Sequence, residues 1–121
     1  MLARELGRPI YALDLRNHGD SPHSPIHNYE SMAGDIESFI TQHSISNPTL
    51  IGHSMGAKVV MAVALRKNVK IQDIIAVDNA PVNAQLGRMF ANYVLAMKRI
   101  EEKGVVKQSE ADEIFKEYEG V

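Results

Sequence analysis

The chain has 121 residues and no cysteine; 13 Lys and Arg stand against 15 Asp and Glu, for a formal net charge of −2. That length fits one small domain. The missing cysteine excludes disulfides, thiolate catalysis and cysteine-held metals, and the balanced charge offers neither a basic field for nucleic acid nor an acidic disordered tail.

At 45% hydrophobic and 23% charged residues the composition is that of a soluble globular protein. No apolar run approaches the roughly 18 residues of a membrane span. The opening, MLARELGRP, lacks the apolar core of a signal peptide, and Glu5 argues against an acid-poor transit segment. It reads as the end of a helix stopped by Gly7, with Pro9 as a breaker. The chain is therefore expected to open in the middle of a fold. Pro9 to Leu15 is an apolar run of strand length. Arg16 to Asn28 contains Gly19, Pro22, Pro25 and three histidines without a period, which predicts a loop.

From Tyr29 to Ser44 the residues Tyr29, Met32, Ala33, Ile36, Phe39 and Ile40 recur at helical spacing. Asn28 suits the cap of that helix, and Glu30 its first turn. PTLIGHS predicts a second strand, MGAKVVMAVALRKN a helix, and IQDIIAVDNAP a third strand ending at Asp78. Strands alternating with helices predict an α/β class with three parallel strands and flanking helices. Beyond Val82 the pattern turns wholly helical. Leu86, Met89, Phe90, Tyr93, Val94, Met97 and Ile100 form a stripe broken by Gly104. A second, acid-rich helix follows, with Ser109 as cap, Asp112 at its third position and Gly120 at its end. The expected organisation is a core over residues 1–81 and a helical segment over 82–121.

Residues 52–56 read Gly-His-Ser-Met-Gly, the G-x-S-x-G pattern. It lies between a strand-like and a helix-like run, the context in which such a pentapeptide marks a nucleophile elbow and not a chance match. Ser54 is the candidate nucleophile. A serine hydroxyl needs a general base, a group that orients the base, and donors for the oxyanion. Gly52 and Gly56 are expected to let strand and helix approach closely. The Met55 amide, at the helix N-terminus, is the expected oxyanion donor.

The blocks LDLRNHGDSPHS (13–24), IGHSMGAK (51–58), IAVDNAPV (75–82) and FANYVLAMKRI (90–100), in that order and spacing, give the chain a family resemblance. It resembles the middle of an α/β hydrolase, and more narrowly the mitochondrial esterase and thioesterase-like branch that includes the yeast ethanol acetyltransferases. The resemblance covers essentially the whole chain. It implies a serine esterase or acyltransferase acting on small acyl esters or acyl thioesters, with no cofactor and no metal, in the mitochondrion. It also implies that the helical segment is a lid, where the stripe by itself reads first as a core-facing amphipathic helix. In family topology the strands at 9–15 and 49–53 are separated by one encoded upstream of Met1, as is the loop that gives the second oxyanion donor.

Most α/β hydrolases order their triad Ser, acid, His. Asp78 lies 24 residues after Ser54 at a strand end, and the resemblance makes it the acid. The plainer alternative is an aspartate that begins the turn before Pro81. The five histidines (His18, His23, His27, His43 and His53) all precede Ser54. His53 is expected to be a packed residue, since adjacent strand side chains point apart. His18, His23 and His27 have no zinc-like spacing, and His43 suits a helix C-terminus. With no histidine after Asp78 in these residues, the chain alone is expected to be inactive. A non-catalytic remnant or interaction module is the alternative.

Overall fold

The computed structural model describes residues 1–82 and 88–119. The expected positions Leu86 and Gly120, and the side chain of Met89, lie outside that description. The element order is α1 (Leu2–Leu6), α2 (Tyr29–Gln42), β1 (Thr49–His53), α3 (Met55–Arg66), β2 (Asp73–Val77), α4 (Arg88–Lys103) and α5 (Gln108–Glu119). None of these helices is long and apolar enough to cross a membrane. The chain divides into two compact units, Met1–Pro81 and Val82–Val121.

In the first unit, β1 and β2 pair in parallel, Thr49 opposite Asp73 through His53 opposite Val77. Two strands form this sheet, not the three expected. Residues 9–15 join no ladder among the described residues. A strand is defined by a neighbour about 4.8 Å away, and an apolar run cannot reveal in sequence whether that neighbour is present. Tyr11 instead rests edge-on against Phe39, with ring centroids 5.6 Å apart, and Ile10 and Leu13 stay exposed.

Helix α1 ends as predicted, on Gly7 in the left-handed region at φ 60°. Asn28 caps α2, its side-chain oxygen accepting the Ser31 amide at 2.8 Å. The apolar faces of α2 and α3 pack together. Met32, Ala33 and Ile40 meet Ala57, Val59, Val60 and Val63, and these are the buried apolar residues of this unit. Helix α3 also packs on both strands. All five residues of β2 remain exposed. Parallel sheets are usually covered on both faces; here the described residues supply cover from α3.

Two arginine–carboxylate forks fasten α2 at its polar edge. Arg16 donates Nε and Nη2 to the two Asp35 oxygens, each at 2.6 Å. Arg66 at the end of α3 donates to both oxygens of Glu37, at 2.8 and 3.2 Å, and Asn68 adds a third bond at 3.0 Å. Glu37 is the one charged residue buried among the described residues, and both of its oxygens accept bonds, as a buried charge requires. Hydrogen bonding from Arg16 holds the Asp35 carboxyl below its ordinary range, and bonding from Arg66 does the same for Glu37, against a smaller opposing effect of burial.

In the second unit α4 packs on α5 through buried Ala96 and Ile114 and an edge-on contact between Tyr93 and Phe115. Phe90, Val94 and Met97 are exposed, so the α4 stripe is wider than the face α5 covers. Gly104, at φ 61°, ends α4; its amide bonds Glu101 and the Val105 amide bonds Ile100, the paired pattern of a Schellman stop. Ser109 is not the cap expected. The Lys107 carbonyl accepts the Glu110 and Ala111 amides, so the helix starts earlier, Ser109 lies within it, and Asp112 falls at its fifth position, not its third.

Replacing Glu37 with alanine takes the acceptor from Asn68 Nδ2 and from Arg66 Nε and Nη2, leaving Arg66 only its Nη1 contact with Glu30 at 3.4 Å. Urea unfolding is expected to show a loss of about 1–3 kcal/mol. Both carboxyls titrate lower in the folded than in the unfolded chain. Their stabilisation is therefore complete above the unfolded value of about 4 and fades as pH falls through the lower folded values. The urea midpoint should hold down to about pH 5 and drop below it, with a shallower drop in Glu37→Gln.

Candidate functional site

Strand β1 turns into helix α3 through a single residue, Ser54, at φ 51° and ψ −115°. A side-chain-bearing residue in such backbone costs about 1–3 kcal/mol. The conformation has a chemical effect. A serine at a helix N-cap normally has extended backbone and spends its hydroxyl on the amide two or three residues on. Ser54 makes no such side-chain cap bond, and it is exposed. Its oxygen is left for other partners.

The tight turn is possible because of Gly52. A Cβ there would fall on the Gly56 carbonyl and lie 2.7 Å from the Ala57 nitrogen. A Cβ on Gly56 would meet nothing within 4 Å. The steric need expected of both glycines thus holds at Gly52 alone, and Gly56 contributes the backbone that Gly52 admits. Met55 and Gly56 are the first residues of α3, whose early amides lack intrahelical acceptors. There is no acidic residue in that first turn to offset the positive end of the helix. The Met55 amide is therefore well suited to a developing negative charge beside Ser54.

The strand pairing brings the candidate acid alongside. The Ser54 amide donates to the Val77 carbonyl at 3.0 Å, continuing the ladder one step past β1. Asp78 is the next residue, also at positive φ, 55°. Its Oδ2 lies 3.7 Å from His53 Nε2, with the two side chains 84% and 69% exposed. His53 is thus not the packed residue expected. The described residues leave the end of β1 uncovered, so its ring lies in solvent beside the carboxylate. Asn79 was not legible as part of this cluster. Its Nδ2 donates to the Ser54 carbonyl at 2.9 Å, and its Oδ1 accepts the Ala80 amide at 2.9 Å. In sequence it is one more turn-forming residue before a proline.

His18, His27 and His43 serve local structure. His27 Nδ1 meets Asn17 Nδ2 at 3.1 Å, His18 Nδ1 meets the Arg16 carbonyl at 2.9 Å, and His43 stacks on Phe39. No group of three metal-binding side chains comes together among the described residues. The His18-Gly19 pair belongs to a tied loop. The Asp14 carboxylate accepts the Asp20 amide at 3.0 Å, and a Cβ on Gly19 would collide with that carboxylate.

Gly52→Ala is expected to lose at least about 2 kcal/mol in urea unfolding, since backbone cannot yield as a side chain does. Gly56→Ala should be neutral or gain up to about 1 kcal/mol from helix propensity. Ser54→Gly relieves the positive-φ strain and should gain about 1 kcal/mol while removing the hydroxyl. Equal losses at the two glycines, or a loss at Ser54→Gly, would contradict this account of the turn.

Comparison with known proteins bears on the fold and the family. A profile of the alpha/beta hydrolase fold family matches residues 2–111. A probable alcohol acetyltransferase of Saccharomyces cerevisiae is 44% identical over 102 residues, 82% of this chain and 30% of that protein. The sn-1-specific diacylglycerol lipase ABHD11 of Mus musculus is 36% identical over 110 residues, 91% of this chain and 36% of that protein. Among solved structures, a marine microorganism esterase superposes with a TM-score of 0.82 at 30% identity, over 98% of this chain and 48% of that one. The chain thus spans about a third of the length of these curated relatives. Family profile, relatives and strand–turn–helix geometry agree: the chain belongs to the α/β hydrolase family, of whose fold it forms a part.

Proposed function

We propose that this chain carries the nucleophile and the acid of a serine-type hydrolase of carboxylic esters or acyl thioesters, with acyl transfer to an alcohol as the alternative fate of the acyl group. Ser54 Oγ attacks the acyl carbon as a histidine takes its proton. The Met55 amide holds the oxyanion, and Asp78 orients the histidine. The C–O or C–S bond to the leaving group then breaks, and the leaving alcohol or thiol takes the proton back. Water or an alcohol repeats the sequence on the acyl-serine. The observation that carries this reading is the Ser54 backbone, which withholds the hydroxyl from helix capping at the cost of strain.

A histidine in triad order follows the acid, and residues 79–121 contain none. The 121-residue chain is therefore proposed to be inactive by itself. The names of its relatives support ester and acyl-alcohol substrates: one is called an alcohol acetyltransferase and another a diacylglycerol lipase. The mitochondrial setting and the lid role of α4 and α5 belong to the same proposal and rest on family resemblance alone. The exposed Ile51, Ile75 and Val77 favour a second reading, a non-catalytic module whose apolar sheet meets a partner.

A fluorophosphonate probe separates the two. The chain alone should label only slowly. Imidazole added as a diffusible base should raise labelling by about tenfold or more, and Ser54→Ala should abolish it. Rapid labelling without imidazole would overturn the proposed inactivity. A chain that unfolds cooperatively in urea yet never labels with imidazole would favour the module.

A further inference from the structure

We propose that Asn79 is a positioning residue, a latch that fixes the Ser54 turn and the acid-bearing loop to each other. Three observations carry this. First, the Asn79 side chain is used at both ends, with Nδ2 donating to the Ser54 carbonyl at 2.9 Å and Oδ1 accepting the Ala80 amide at 2.9 Å. Flipping the amide would set donor against donor and acceptor against acceptor, so one orientation is fixed.

Second, the carbonyl it holds belongs to the strained residue. Ser54 stands at φ 51°, and its carbonyl also accepts the Ala57 and Lys58 amides that start α3, at 3.1 and 3.4 Å. A further donor on that carbonyl, from outside the helix, pins the peptide that sets the direction of the serine side chain. Third, Asn79 follows Asp78, itself at φ 55°. The ladder bond from the Ser54 amide to Val77 lies on one side of Asp78 and the Asn79 bond on the other. The acid is thereby clamped between two bonds to the same residue. Neither bond touches a hydroxyl or carboxylate oxygen, so the latch leaves the reacting groups free. Its catalytic meaning rests on the Ser54–Asp78 assignment proposed above; the latch itself does not.

The test begins with the unaltered chain. Isotope-edited NMR should detect coupling across the hydrogen bond from the Asn79 side-chain amide to the Ser54 carbonyl carbon, and its absence overturns the latch. In Asn79→Ala and in Asn79→Asp, which keeps the shape and loses the donor, exchange of the Ser54 and Ala57 amides should speed up about tenfold while α2 amides keep their protection. Unchanged exchange at the turn, or equal acceleration throughout, overturns the positioning role. Imidazole-assisted labelling of Ser54 should fall about tenfold in both variants with the half-saturating imidazole concentration unchanged. A wild-type chain that never labels would defeat the proposed function, with the latch still judged by coupling and exchange.

Discussion

The backbone of β1 lies so close to the backbone of α3 at Gly52 that only a residue without a side chain fits. The rest of the first unit depends on that approach. It forces the chain to reverse from strand to helix within one residue, which drives Ser54 into positive φ. It sets the start of α3 beside the end of the sheet, where unpaired helix amides lie near Asp78, the residue that follows β2. A turn with one more residue would relax the serine, return its hydroxyl to capping, and dissolve the arrangement.

Strain of this kind persists only where the surroundings over-determine it. Here the restraints come from opposite directions. The ladder bond to Val77 and the Asn79 bond hold Ser54 from the sheet side. From the other side, α3 is locked to α2 by a buried apolar seam and by the Arg66–Glu37 fork. A charge buried at Glu37 would be costly unpaired; bonded through both oxygens, it fixes how far α3 can slide along α2. The polar edge of the helix pair and the strained turn at the opposite end of α3 are thus parts of one rigid support.

Features whose cause is local were legible in the sequence. The stop at Gly7, the cap at Asn28, the stop at Gly104 and the turn at Ser54 each follow from what one residue or pentapeptide can do. The alternation of strand and helix announced the fold class. What sequence did not show depends on partners distant in the chain. Residues 9–15 have the composition of a strand, but a ladder requires a neighbour. Gly56 has the same letter as Gly52 and a different neighbourhood. Ser109 has the chemistry of a cap, yet the Lys107 carbonyl closes the first turn. His53 alternates with buried Gly52 along β1, but with nothing over it among the described residues it lies in solvent beside Asp78. Asn79 reads as turn chemistry, and its bond across 25 residues becomes visible only in three dimensions.

The exposure of β2 also bears on how the chain behaves in company. Ile74, Ile75 and Val77 are exposed along a strand whose outer backbone edge has no strand partner among the described residues. Such an edge is a template for strand addition, and proteins usually blunt theirs with lysine, proline or a bulge. None of these interrupts Asp73–Val77, and a net charge of −2 gives little mutual repulsion. The stretch Ile74–Val77 thus lacks the usual safeguards against strand addition, so the concentration of the chain is a variable to hold fixed wherever its stability is measured.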